Sequence, residues 1–298
     1  MASVPLPPSV PPTASPAPVT LAPAPAPAPL LARGALLSPF KRPHPDAAFP
    51  RTRLVLPGLR VDLARLAAYE KICGFPTGED ALPLTYPHVL GFPAAMRLMS
   101  GRDFPLPLPG LVHTSVEITR SRTVPATGTH ELSVHIEGLA PHRRGTEASV
   151  VTGMRTPGGD LVWESRSTYP ARHRTVGHTA PPRERTSGAT RPLPVVDAWL
   201  LAGNTGRRYG AASGDRNPIH LHPLTARLFG FPRAVAHGMW TAARCLAAHG
   251  VPEAVTVRAD FRAPVLLPAT VTYGARDGRF ELRGPGDRLH LTGDVRPA

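Results

Sequence analysis

From Val255 to the end of the chain, apolar and polar residues alternate in short runs separated by turn residues. A period of two is the signature of half-buried strands. It predicts strands near Val255–Ala263, Ala269–Ala275, Arg279–Arg283 and Leu289–Val295, with turns at Asp277-Gly278 and Gly284-Pro285-Gly286-Asp287. Just upstream the period changes. Between about His237 and Ala248, the apolar residues Trp240, Ala243 and Leu246–Ala247 recur at helical spacing. One long helix followed by consecutive antiparallel strands predicts an α+β layer in which the sheet wraps around the helix.

The same order recurs earlier. "YEKICGF" (Tyr69–Phe75) matches "YGAASGD" (Tyr209–Asp215), and "VLGFPAAMRLM" (Val89–Met99) matches "AHGMWTAARCL" (Ala236–Leu246). The second match pairs Gly91 with Gly238 at the start of a helical pattern. "VPAT" (Val124–Thr127) matches "LPAT" (Leu267–Thr270), each beside β-type alternation. The separations stay near a constant value of about 140 residues, so the chain reads as a duplication. Each half is expected to hold a short helix and loop, one long helix, then several strands. Paired sheets would leave a cleft between the halves.

Composition sets the boundaries of these halves. Many of the 39 prolines crowd into residues 1–45, with Ala and Pro alternating from Ala22 to Pro29, which predicts a disordered tail. Residues 172–191, containing "PPRERTSGATRP", read as a linker. The expected repeats are therefore 46–171 and 192–298. No apolar run approaches the roughly 18–20 residues that span a bilayer, and the proline-broken N-terminus does not read as a signal peptide. Cys73 and Cys245 give no disulfide framework, which predicts a reducing, cytoplasmic setting.

The formal charge of +13 raises the possibility of a nucleic-acid partner. The arginines are scattered, however, and no basic-aromatic interleaving or zinc-finger pattern accompanies them, so none is expected. A basic surface equally suits a phosphate-bearing small molecule or carrier.

The densest chemistry lies in "YGAASGDRNPIHLHP" (Tyr209–Pro223), which collects Asp215, Asn217, His220 and His222 around Gly214 and Pro218. Gly214 and Pro218 suggest a stretch that is neither helix nor strand interior. The first half has Phe75 where the second has Asp215, and its interval to the long helix is shorter. One active site served by two structural units is expected. Asp215 and His220 can reach a single water, and a carboxylate tunes an imidazole for proton transfer. The unsatisfied N–H of Gly238 at a helix start can donate to a developing oxyanion. No serine or cysteine is convincingly coupled to the pair, and Ser213 reads as the small residue of the turn. Asn217, Ser213 and Gly214 are expected to support the loop, Tyr209 to pack, and Met239, Trp240 and Cys245 to be core. A metal shared by His220, His222 and His237 is not expected.

The run "YGAASGDRNPIHLHPLTARLFGFPRAVAHGM" resembles the signature of the MaoC-like, (R)-specific enoyl-thioester hydratase/dehydratase family, a family with the hot-dog fold. Its Tyr…Ser-Gly-Asp-x-Asn-Pro-Ile-His pattern is met from Tyr209, and its His-Gly pair at His237-Gly238. The resemblance covers the second half closely, and the first half more softly as a degenerate partner repeat. It implies a double hot-dog fold, Asp215 and His220 as the catalytic dyad, and Gly238 as the oxyanion-hole amide. It implies reversible interconversion of an (R)-3-hydroxyacyl thioester with the trans-2-enoyl thioester plus water. Coenzyme A or acyl carrier protein would be part of the substrate, with no further cofactor and no membrane partner. Monomer and homodimer both fit. A hot-dog thioesterase or a non-catalytic acyl-thioester-binding module would share the scaffold, although the intact dyad argues against the latter.

Overall fold

The computed structural model describes residues 17–21, 26–174 and 191–298. In the first half, strand β2 (Thr52–Arg60) leads into helix α2 (Leu63–Cys73) and helix α3 (Tyr86–Met99). Strands β3 (Ser115–Arg120), β4 (Thr129–His142), β5 (Gly145–Arg155) and β6 (Leu161–Arg172) follow. The second half repeats the order. It runs from β7 (Val195–Leu201) through α4 (Thr205–Ser213), α5 (Pro218–Leu221), α6 (Pro223–Leu228) and α7 (Gly238–His249). Strands β8 (Val255–Phe261), β9 (Ala269–Arg276), β10 (Arg279–Gly284) and β11 (Arg288–Pro297) close it.

All strands join one sheet, which also takes in β1 (Ala17–Thr20), in the order β1-β2-β4-β5-β6-β3-β8-β11-β10-β9-β7. Apart from β1, reading inward from either edge gives the same internal sequence of equivalent strands, so the halves are related as a duplication would relate them. They meet where β3 pairs antiparallel with β8, Ser115 opposite Asp260 and Ile118 opposite Val257. Inside the curved sheet lie the two long helices, α3 against β4 and β5 and α7 against β10. Ala94, Leu98 and Met99 of α3 and Ala242, Ala243, Cys245 and Leu246 of α7 are buried there. Each large apolar side chain so buried contributes roughly 1.5–3 kcal/mol. This is the double hot-dog architecture.

A second contact joins the halves. Helices α2 and α4 run in opposite directions against each other, with Arg65 Nε donating to the Ala212 carbonyl (2.8 Å). The Tyr69 and Tyr209 rings lie 5.8 Å apart, and Trp240 Nε1 donates to the Ile72 carbonyl at 2.9 Å.

The structure corrects four expectations. Each half opens with a strand, β2 or β7, before its first helix. β2 is interrupted by Pro57-Gly58 and a register shift between Leu56 and Leu59, which hides its alternation. β7 is a short edge strand whose Val195, Val196 and Leu200 stay exposed. Secondly, residues 1–45 are not wholly a tail. β1 pairs in parallel with β2, and α1 (Pro27–Leu37) packs on α3. Pro18 is tolerated because β1 lies at the sheet edge. In α1 the prolines stand in the first turn, where no intrahelical N–H is needed, and the apolar run from Leu30 continues the helix. Lys41 then reaches the Gly101 and Phe104 carbonyls. Residues 1–16 and 22–25 of the expected tail lie outside the described residues. So do residues 175–190 of the expected linker, while Arg172 belongs to β6. Thirdly, Gly91 lies inside α3 and does not open it, whereas Gly238 is the first residue of α7.

The fourth correction concerns Pro218. It starts a helix instead of excluding one: Asn217 caps α5, its side chain accepting from the Ile219 N–H. Proline is suited to a first helical position because its missing N–H has no partner there. His222 likewise caps α6 by accepting from the Leu224 N–H.

Candidate active site

The site begins where α4 ends. Gly214 takes the left-handed conformation (φ 82°, ψ −5°) that closes the helix, a conformation glycine reaches without a Cβ penalty. The chain then turns back across α4. The Ser213 hydroxyl accepts from the Asp215 N–H (3.2 Å), and Asp215 Oδ1 accepts from the Asn217 N–H (3.1 Å). Two glycines one turn apart make room for this crossing. A methyl at Gly206 would overlap the His220 carbonyl oxygen, and one at Gly210 would sit 2.8 Å from the Asp215 carbonyl oxygen. The loop backbone therefore rests directly on the helix backbone.

His220, on α5, is oriented by Nδ1 donating to the Val235 carbonyl at 2.7 Å. A ring nitrogen facing a carbonyl carries the hydrogen, so Nε2 of the neutral ring presents its lone pair. His237 lies against it, the ring centroids 3.7 Å apart and the planes 26° from parallel. His237 Nε2 donates to the Asp215 carbonyl oxygen at 2.9 Å and stands 3.9 Å from Asp215 Oδ2. Tyr209 packs on His237 with the ring planes tilted by 51° and centroids 4.7 Å apart.

Burial dominates the electrostatics. It raises the Asp215 carboxyl above the usual aspartate range, and the His220 interaction and the Asn217 N–H pull partly the other way. It lowers His220, with Asp215 and the Val235 carbonyl opposing. Burial and the neighbouring His220 hold His237 well below an ordinary imidazole. Both rings are thus neutral near pH 7. Asp215 nevertheless retains 26% of its side-chain exposure, so a small molecule can reach it.

Asp215, His220 and His237 bring ligand atoms within 4.8 Å of one another, a set that could share a metal ion. Hydrogen bonding divides the three. His237 Nε2 and His220 Nδ1 are committed to carbonyls, and His237 Nδ1, though without a partner, is buried, so His220 Nε2 and the Asp215 carboxylate are the accessible pair. Beside them α7 begins at Gly238, with no side-chain cap at His237, and the first N–H groups of a helix have no intrahelical acceptor. The Phe261 ring packs on Gly238, 3.2 Å from where a Cβ would be. The arrangement can hold a water between an acid and a base and offer an N–H to an adjacent oxygen.

The structure brings Ser213, Gly214, Asp215, Asn217, His220 and Gly238 into one site. His222 serves as a helix cap instead. Sequence reasoning missed the part played by His237, which fixes the Asp215 backbone and covers one face of His220. It also missed Gly206 and Gly210, although glycines four apart on a short helix were a legible signal. Two residues of the first half contribute as well. Arg65 holds the last turn of α4, and Tyr169 lies close enough to feel the Asp215 charge, which with burial raises its phenol. No local pattern could have revealed either, since each depends on packing between the halves.

Comparisons with known proteins identify similar sequences and folds. Residues 182–278 match the family model described as a MaoC like domain. The chain is 38% identical over 233 residues to 3-hydroxyacyl-thioester dehydratase X of Mycobacterium tuberculosis, covering 77% of this chain and 81% of that one. A crystal structure of HtdX from M. tuberculosis superposes with a TM-score of 0.72 at 35% identity, covering 83% of this chain and 100% of that one. A MaoC-like dehydratase from Phytophthora capsici shares the fold at a TM-score of 0.63 and 16% identity, covering 85% of this chain and 97% of that one.

Proposed function

The chain belongs to the MaoC-like dehydratase family, and on that premise we propose that it interconverts (R)-3-hydroxyacyl thioesters and trans-2-enoyl thioesters through Asp215 and His220. It is a hydro-lyase acting on acyl thioesters. The observation that supports the residue assignment is the available pair, the His220 Nε2 lone pair and the Asp215 carboxylate, held beside the start of α7.

Dehydration requires loss of the C2 proton and protonation of the departing C3 hydroxyl. Asp215 and His220 perform these transfers between them, one as base and the other as acid, and hydration runs the same steps in reverse. As C2 is deprotonated, charge gathers on the thioester oxygen, and the Gly238 N–H stabilises it. His237 keeps the two groups in register through the Asp215 carbonyl and the face of His220. Phe75 leaves the first repeat without an acid at the corresponding position, so each chain carries one such site.

The chemistry uses no redox group and no metal. The phosphates of coenzyme A or of a carrier-protein arm suit the surface of a chain with formal charge +13. We place the enzyme in the cytoplasm from its two free, buried cysteines. Among the described residues, no helix is long and apolar enough to cross a membrane. Both halves of one chain build the site, so a monomer suffices, and a homodimer would add copies of a complete unit.

The test is turnover of crotonyl-CoA followed by loss of enoyl absorbance, with product analysis. The expected product is (R)-3-hydroxybutyryl-CoA. Release of free acid with the thiol would identify a thioesterase instead, and binding without turnover would identify a carrier module.

A further inference from the structure

A cavity of about 350 Å³ lies where the end of α2, the end of β7, the start of α4 and α7 meet. That volume falls within the range of small-molecule sites, roughly 300–1,000 Å³. Three cations line it, each from a different helix: Lys71 of α2, Arg208 of α4 and Arg244 of α7. Among the described residues no acidic side chain lines it, and neither do Asp215, His220 and Gly238. Helix α4 begins here at Thr205 and ends at Ser213, roughly 12 Å away at 1.5 Å per residue. The cavity and the catalytic turn thus occupy opposite ends of one helix.

The charges of these cations are not answered within the chain. Among the described residues, none of the three forms a salt bridge or donates a side-chain hydrogen bond. The Arg244 guanidinium lies over the Trp199 ring, 4.3 Å from its centroid, which fixes its plane and leaves its N–H groups free. Asp197 is close enough to feel Arg244, but its oxygens already accept from the Ala198 N–H (2.8 Å) and Trp199 Nε1 (2.6 Å). Lys71 and Arg208 are exposed. Thr205 also lines the cavity, and the start of α4 has no side-chain cap, so the positive end of the helix dipole adds to the same charge. Like charges gathered around one space repel, and an anion seated among them removes that cost.

We propose that this cavity is a second binding site, which takes the phosphate or diphosphate group of a small molecule between Lys71, Arg208 and Arg244. The inference goes beyond the hydratase reading and does not depend on it. Three cations match an anion of two or more charges, which a phosphate ester or a diphosphate carries and a single carboxylate does not. A guanidinium fork pairs with two phosphate oxygens, and the Lys71 ammonium supplies a point charge. Lys71 belongs to the first half, and Arg208 and Arg244 to the second. A bound anion therefore ties the halves together at the helix that leads into the catalytic loop. Two sources supply such a group: the coenzyme A of the substrate, or a separate phosphorylated ligand.

The experiment titrates inorganic pyrophosphate into the full chain at low ionic strength, followed by calorimetry and by melting temperature. Pyrophosphate should bind at one site per chain and raise the melting temperature. Lys71→Ala and Arg208→Ala, both at exposed positions, should each weaken binding by about 10-fold or more, the scale of a lost charge-assisted hydrogen bond. Arg122→Ala, which removes a surface cation paired with Asp160, should leave binding unchanged. No saturable binding overturns the proposal, and so does binding that survives intact in both Lys71→Ala and Arg208→Ala. Equal weakening in all three variants also overturns it, since that is diffuse attraction to a basic surface. Kinetics then separates the sources. If the group is the substrate's own, pyrophosphate competes with crotonyl-CoA, and Arg208→Ala raises KM for crotonyl-CoA but not for crotonyl-pantetheine, which lacks the diphosphate. If it belongs to another ligand, Arg208→Ala leaves both KM values unchanged. Either result supports the site, and the calorimetry decides it even if no thioester is turned over.

Discussion

Gly74 and Gly214 end equivalent helices in nearly the same backbone conformation, φ 83° and φ 82°. Each is also covered by an arginine from the opposite half, Arg244 over Gly74 and Arg65 over Gly214. Past these glycines the halves diverge. After Gly74 comes Phe75, whose ring lies parallel to Tyr69 with centroids 6.4 Å apart. After Gly214 comes Asp215, followed by α5, α6 and His237. The preceding helices differ to match. Leu66 and Glu70 of α2 are buried at the positions where α4 carries Gly206 and Gly210. A loop crossing α2 as the catalytic loop crosses α4 would collide with these side chains. One scaffold thus supports chemistry only where the helix surface has been cleared to let the loop backbone come down onto it.

The sharpest way to break this comparison is to remove the chemistry from the half said to have it. Asp215→Asn and His220→Ala should each lower kcat by on the order of 10²-fold or more with the fold retained. The double variant should be little worse than the poorer single, because the groups act as a unit. Steady-state kinetics beside circular dichroism checks this, and near-normal turnover in either single variant would refute the dyad. The Asp215 charge raises His220, so Asp215→Asn should move the His220 imidazole further down the pH scale. An NMR titration that found it shifted upward would contradict a stabilising effect of the Asp215 charge on the imidazolium.

Next in size is the cleared helix face. Gly206→Ala forces the His220 backbone away from α4 and should cost about 10-fold or more in kcat, the scale of a displaced catalytic group. Its counterpart Leu66→Ala should lower stability by about 2–5 kcal/mol with little effect on kcat. Melting curves and kinetics on both variants would reveal whether one position serves catalysis in one half and packing in the other.

The arginines should differ more modestly. Arg65→Ala removes a hydrogen bond to the last turn of α4 and should lower kcat severalfold, with partial rescue by Arg65→Lys. Arg244→Ala, at the inactive loop, should affect melting temperature more than kcat. Equal effects on kcat would mean that the arginines support the fold generally and not the catalytic loop.

The smallest effect on turnover is expected at the N-terminal edge. Deleting residues 1–40 removes β1 and α1, which cover β2 and α3 far along the sheet from α7. Melting temperature should fall, while kcat for a soluble enoyl thioester should change little. A large loss of kcat would show that this edge reaches the site through the first repeat.

Much of the second half was legible because its signals are local. The alternation of β8 to β11 and the helical spacing of α7 gave their boundaries to within a few residues. The spacing of Asp215, His220 and Gly238 picked out the groups that now meet. The strands β2 and β7 were missed where a proline bulge and an exposed edge erased alternation. Averaging composition over the proline-rich N-terminus concealed the proline-free run of α1. His222 looked like a peer of His220 in the sequence, and only the cap at Leu224 separates their roles.

The sequence by itself determined the duplicated α+β plan, the single acid–imidazole loop and the helix start beside it, because periodicity, turn residues and spacing are written along the chain. Tertiary structure alone decided that His237 stacks on His220, that Arg65 braces the catalytic turn and that the Asp215 charge reaches Tyr169 of the other repeat. Those relations arise when two distant segments bury their surfaces against each other. No local pattern records which side chains then meet.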